Sequence, residues 1–413
     1  MIDVGRPVGP LMSMVPASSW QAGVMERSDV RATAQFLPFK GTRFTHGLDG
    51  RCAPPYDVLT HEQVAFWRTH PENITYVDVP LPTDGAHPYA IAGERWQHWH
   101  ATGVVLTDSR PTLTVVTMTF DDARGRARSV RGVIGAVTLN AGVQAHERTT
   151  PKASTDRLDL TRATRANLSP IWALSPAAGL TDLLREVEMT SAVSLDGVQH
   201  GVGVIDDDEL VAAICSLVSS RELVIADGHH RYGVAREYAA EAASLRGVDA
   251  TMMFVNELVA DQLAIDAIHR VYPMMTANDV LRRLGDPANV IPLGTVDSSI
   301  IDRMDAEQSM CLIDDRGEGY LIRIAPSAIQ GVRDLDGAVL EHLLGATDVR
   351  YEHDLNRILR GGLPTGSSAV LIRPVGVDEI LRTATTGELM PPKSTFFTPK
   401  LATGVVIRDV GAQ

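Results

Sequence analysis

Residues 224–238 read VIADGHHRYGVAREY: an apolar run, then an acid, a glycine, two histidines and an arginine, then a helical pattern. The preceding "ELVIA" suits a short buried strand, and Tyr232, Ala235, Tyr238, Ala239 and Ala242 fall at the spacings of one helix face. Asp227 and Gly228 are therefore the strand-to-helix turn. Free N–H groups at a helix start, with the dipole behind them, attract an anion, and Gly228 lets the backbone come close to it. His229, His230 and Arg231 add donors at the same place. Arg231 can grip a phosphate or carboxylate with its planar fork, whereas Asp227 can hold a metal ion or a substrate hydroxyl or amine. The plainer reading is an aspartate that merely caps the helix beside two solvated histidines. Adjacent helix residues point about 100° apart and rarely ligate one ion, so phosphate binding is a simpler account of the pair than a metal hydrolase.

The chain has 413 residues, 44% hydrophobic and 22% charged, enough for one large domain or two moderate ones. No apolar run approaches the roughly 18 residues of a membrane span, and no basic stretch leads into an apolar one at the amino terminus, so the cytoplasm is expected. Cys52, Cys215 and Cys311 lie far apart without a CxxC pair, which points to reduced, buried thiols rather than disulfides or structural zinc. A net charge of -13 repels nucleic acid, and no lysine-rich tract reverses it. Small-molecule partners fit better, with no nucleic acid and no membrane; a homodimer is left open.

Residues 1–34 are rich in Pro, Ser, Gly and Met without a stable period and read as a poorly ordered leader, with an alternative start near Met25. From Phe36 the chain mixes strands and helices. "TLTVVTMTF" and "RGVIGAVTL", joined by "DDARGRARSV", form a hairpin; Tyr89, Ala92, Trp96 and Trp99 mark a helix face ending near Gly103. "ATMMFVNEL" and "QLAIDAIHRVY" read as two more strands, "MCLIDDRGEGYLIRI" as a second hairpin, and "VDEILRTATTGE" as a helix stopped by Gly387. The expectation is an α+β protein with mixed sheets, a core over 35–275 and a further region over 276–413.

Three more polar clusters stand out. In 145–171, Ser154 or Thr155 caps a helix running to about Asn167, closed by Ser169 before Pro170, and Arg157, Thr161 and Arg165 form a basic strip along it. His146 and Glu147 precede it, where Glu147 can act as a general base, and Thr150 stands where a zincin helix needs its second histidine. The plainer reading is a solvated helix with charge pairs. In "MPPKSTFFTPKLATG", 390–404, Lys393, Ser394, Thr395 and Lys400 are donors suited to phosphate, while Phe396 and Phe397 can equally plug a core. Around the Pro-Pro turn at 54–55 lie Lys40, Arg43, Tyr56 and Asp57, a pocket wall or a structural turn.

Taken in order, "FKGTRF", "PPYDV", "HERTTPK", "RANLSPI", "ADGHHRY" and "PPKSTFFTPK" resemble domain-of-unknown-function family 1015. "HE.T" followed downstream by "DG.HRY" also resembles the free-serine kinases of the ParB/sulfiredoxin-like fold, which phosphorylate L-serine using ATP or ADP. The resemblance implies a nucleotide-binding core of that fold within 35–275, Glu147 as base, and Asp227, Gly228, His230 and Arg231 as phosphate and substrate contacts. It further implies Asp227 as the residue holding Mg2+, and His146, Thr149, Lys152, His229, Arg157, Arg162, Lys393, Ser394, Thr395 and Lys400 around the nucleotide. Tyr56, Asp57, Asn167 and Ser169 fall to the substrate. No GxxxxGK[ST] occurs. A serine hydroxyl needs a proton acceptor and the phosphoryl group needs positive charge, which these residue types supply without a P-loop. Two other classes stay open: a nucleotide-binding regulator, as among ParB relatives that bind CTP, and a small-molecule phosphatase, although no DxDx[TV]-like start is present.

Overall fold

The computed structural model describes residues 33–411 apart from 85–86, 123–124, 146–153, 287 and 392. Thr33–Gln413 forms one compact unit with mixed α/β architecture. Its largest sheet runs Val143–Ala145, Leu223–Asp227, Ile171–Ser175, Ala250–Glu257, Ala127–Thr138, Leu113–Asp121, Val198–Ile205, Ser191–Leu195, with Phe36–Leu37 added on Ala127–Thr138. Two of its pairings are parallel, Val143–Ala145 with Leu223–Asp227 and Ile171–Ser175 with Ala250–Glu257; the rest are antiparallel.

At Leu223–Asp227, Ile171–Ser175 and Ala250–Glu257 the sheet is buried on both faces, which is why these strands read as nearly continuous hydrophobic runs. Successive residues alternate between two cores: Met252 and Phe254 join Trp96, Trp172 and Phe397 on one side, while Met253 and Val255 join Leu180, Ile214 and Val218 on the other. The first hairpin holds, with Asp121 paired to Ala127, as do the strand at 250–257 and the second hairpin, Met310–Asp314 with Glu318–Ile324. Helices end where glycine permits a left-handed residue: Pro88–Thr102 at Gly103 (φ 74°) and Val377–Thr386 at Gly387 (φ 74°).

"QLAIDAIHRVY" is not one strand. It divides into Ile265–Asp266, paired with Phe396–Phe397, and His269–Tyr272, which joins a six-stranded sheet of Ala288–Thr295, Glu318–Ile324, Met310–Asp314, Ser368–Leu371, His269–Tyr272 and Arg350–Glu352. The apolar run cannot show that its two halves serve different sheets. The helix expected to reach Asn167 stops at Thr164, because Arg165 turns left-handed (φ 53°) and Ala166–Asn167 pairs with Ile407–Asp409.

Ile407–Asp409 also pairs with Gly41–Phe44, so late residues sit between two early segments. Asp409 secures this junction by accepting from Thr42 Oγ1 at 2.5 Å and Trp96 Nε1 at 2.9 Å. No helix among the described residues is long and apolar enough to cross a membrane.

Candidate functional site

Leu223–Asp227 delivers its aspartate at the sheet's end, where the pairing with Ile171–Ser175 slips by a bulge between Ile225 and Asp227. Bulges re-aim side chains in this way. Gly228 follows with φ 92°, and the helix His229–Glu241 starts at once, so both histidines and Arg231 lie in its first turn, earlier than the apolar periodicity from Tyr232 indicates. The helix start has no side-chain cap bond. Asp227 serves a different purpose.

Its two oxygens are divided between cations: Oδ1 accepts from Lys400 Nζ and Oδ2 from Arg231, each at 2.5 Å. Arg231 also donates to the Pro170 carbonyl and, at 3.5 Å, to Ser169 Oγ. Burial by itself would raise the Asp227 carboxyl, but Lys400 and Arg231 outweigh it and hold the group well below the usual carboxylate range. Burial lowers His230, and Lys393 pushes it the same way. The loop at 390–404 thus brings one lysine to Asp227 and the other within electrostatic reach of His230.

Tyr56 and Asp57 border the same cluster, since both act electrostatically on Arg231. Arg157 lies 3.8 Å over the Tyr56 ring and pairs at 3.0 Å with buried Asp78. The plainer reading of a solvated helix does not hold at Arg157, which is enclosed and charge-matched, and its helix packs between Pro88–Thr102 and His229–Glu241. Gly93 allows that approach, because a Cβ there would meet the Ala163 carbonyl at 2.6 Å. Arg162 is not brought to the cluster; it pairs with Glu241 and Asp159 at the helix surface. Arg43 is engaged by Asp108 at 3.0 Å and Thr114 at 2.7 Å.

Asn167 accepts from Met252 N and Arg408, Ser394 donates to the Pro391 carbonyl at 2.7 Å, and Thr395 is buried. The adjacent phenylalanines divide: Phe397 is a core plug 5.7 Å from Trp172, whereas Phe396 is half-buried beneath Lys400 Nζ, 4.5 Å from its ring centre. His146, Glu147, Thr149 and Lys152 lie outside the described residues. Asp78 escaped sequence reading; its one signal is a carboxylate inside the apolar "ITYVDVP".

A cavity of about 60 Å3 adjoins the cluster, with Asp78, Arg157, Asn167, Ser169 and Arg231 in its polar lining and Val234, Tyr238 and Val248 in its apolar lining. It takes a compact group, far below the roughly 300 Å3 of a small drug-sized site. As a metal centre the cluster fits poorly. No group of three His, Cys, Asp or Glu among the described residues converges on a point, and both Asp227 oxygens face cations that would repel a third.

The family described as "Protein of unknown function (DUF1015)" matches residues 36–338, and the chain belongs to it. The matched span includes the Asp227 turn and ends before the lysine loop. No curated protein matches the chain. Among solved structures, a free serine kinase variant in complex with ADP is similar at 11% identity and TM-score 0.36, covering 65% of this chain and 91% of that one. SbnI with a C-terminal truncation, from Staphylococcus aureus, is similar at 12% identity and TM-score 0.37, covering 66% and 87%. A conserved hypothetical protein from Pyrococcus furiosus is similar at 12% identity and TM-score 0.35, covering 67% and 93%.

Proposed function

We propose that this member of the DUF1015 family is a nucleotide-dependent kinase that transfers a phosphoryl group from ATP or ADP to the hydroxyl of free L-serine or a similar small hydroxy metabolite. The observation that carries the reading is Asp227 held between Lys400 and Arg231 at a helix start, with His230 and Lys393 alongside. Phosphoryl transfer is mainly positioning and charge stabilisation, and fixed cations gathered at a helix start suit it. The motif order that resembles the free-serine kinases supports the same assignment.

In this reaction Glu147 takes the acceptor's hydroxyl proton as its oxygen bonds to the terminal phosphorus. The bond from that phosphorus to the bridging oxygen breaks, and the electron pair leaves on ADP or AMP. Lys400, Arg231, Lys393 and the histidines balance the phosphate charge, with His146, Thr149 and Lys152 joining from the segment that carries Glu147. The acceptor occupies the small cavity, oriented by Ser169 and Asn167 in its lining and by Tyr56 and Asp57 near Arg231. Asp227 fixes the two cations in place. No step is assigned to Mg2+ on these residues.

The test is phosphorus NMR of the purified protein with ATP or ADP and free L-serine, each omitted in turn, with and without Mg2+. A phosphomonoester resonance requiring both nucleotide and serine is expected. Intact nucleotide over a folded protein rejects serine, and nucleotide bound without turnover favours the regulatory class.

A further inference from the structure

We infer that the nucleobase stacks on the open face of Tyr351, with its phosphates running to the lysine loop. This rests on the nucleotide reading above and names a contact absent from it. The cavity beside Arg231 is assigned above to the acceptor, so the base is expected on another surface near the phosphate cluster. Tyr351 provides one. It lies on the edge strand Arg350–Glu352 and is 42% exposed, unusual for so large an aromatic.

One face of its ring is backed by Arg270, whose Cζ lies 4.7 Å from the ring centre. The same guanidinium donates to the Lys393 carbonyl at 3.2 Å, so a single buried side chain ties the aromatic to the lysine loop. Two residues on, the His353 ring stands edge-on to Phe396 at 4.2 Å, and Phe396 lies beneath Lys400. Tyr351 is thus linked through Arg270 to the Lys393 backbone, and His353 through Phe396 to Lys400 and the Asp227 carboxylate. Aromatic faces hold bases of any sequence by stacking, and a cation behind the ring fixes its position.

Isothermal titration calorimetry of the full chain with ADP and with inorganic tripolyphosphate separates base from phosphate. Tyr351→Ala is expected to weaken ADP about 5- to 100-fold, the range of one lost stack, while leaving tripolyphosphate within about twofold. Tyr351→Phe should keep ADP affinity. Tyr351→Leu, which still covers Arg270, guards against an unfolded alanine variant and should weaken ADP in the same way. Equal ADP affinity in wild type and the Leu or Ala variant overturns the inference, as does parallel weakening of ADP and tripolyphosphate. Failure of folded wild type to bind ADP at all overturns the nucleotide reading itself.

Discussion

Lys400 reaches across 173 residues of sequence to place Nζ 2.5 Å from Oδ1 of Asp227. Arg231 occupies the other oxygen, so one carboxylate orders two cations that would otherwise repel each other. The arrangement is a charge template assembled from segments that share no local sequence.

Lys400→Met should lower the free energy of unfolding by roughly 1.5–3 kcal/mol, the scale of a hydrogen bond to a charged group, and weaken ADP at least about tenfold. Urea denaturation and calorimetry check both effects. Full stability and full affinity together would mean that the contact is not made in solution.

The buried Asp78–Arg157 pair makes a different prediction. Arg157→Met strands a carboxylate that burial already pushes up, at a cost of about 3–5 kcal/mol. Adding Asp78→Leu should recover much of the loss, and a double-mutant cycle measures the coupling. No recovery would place the cost in lost packing on Tyr56.

At Gly228 the backbone holds φ 92°, and an added Cβ would lie 3.0 Å from Arg231 Nε. Gly228→Ala should therefore cost about 1–3 kcal/mol in strain and displace the guanidinium from Asp227. Thermal melts would show the first effect and weaker tripolyphosphate binding the second; unchanged binding would uncouple the turn from the cation.

Acid should act in two stages. Burial, assisted by Arg270, lowers His269 to about 4, whereas an unfolded histidine titrates near 6.5. Between those values the unfolded chain binds more protons, so stability falls as pH drops through the window, by up to about 3–4 kcal/mol. Asp227 has the opposite kind of group and the same direction: its depressed carboxyl stabilises above the ordinary carboxylate range and that contribution is lost below it. Denaturation at pH 7, 5 and 4 should show the first stage in wild type and much less of it in His269→Gln.

Glu147→Gln should leave ADP affinity within about threefold and reduce turnover by about 100-fold or more, the contribution of a general base. Single-turnover kinetics with labelled nucleotide distinguishes this from a binding defect. Unchanged turnover would move the base elsewhere.

The turn at Asp227 was legible because a strand pattern, a glycine and a helix pattern meet within a few residues, and each follows from local geometry. Both hairpins and the Gly103 and Gly387 helix stops were legible for the same reason. Partnership was not. Nothing near Arg157 announces Asp78, and nothing in the run from Gln262 to Tyr272 tells which residues leave one sheet for another, because those choices depend on distant surfaces. The helix expected to reach Asn167 failed for that reason: Ala166–Asn167 is claimed by Ile407–Asp409, some 240 residues later. Phe396 and Phe397 show the same limit on a small scale, since alternation along a strand separates them but only tertiary contact says which one faces inward.

The position of Ile407–Asp409 between Gly41–Phe44 and Ala166–Asn167 bears on the order of synthesis. When the Asp227 turn is synthesised, Arg231 is the one of its two cation partners already encoded alongside it. The balancing ammonium group and the strand that closes the small sheet emerge from the ribosome only afterwards. Full ligand affinity should accordingly arise only late in translation, once Lys400 and Ile407–Asp409 have joined the fold.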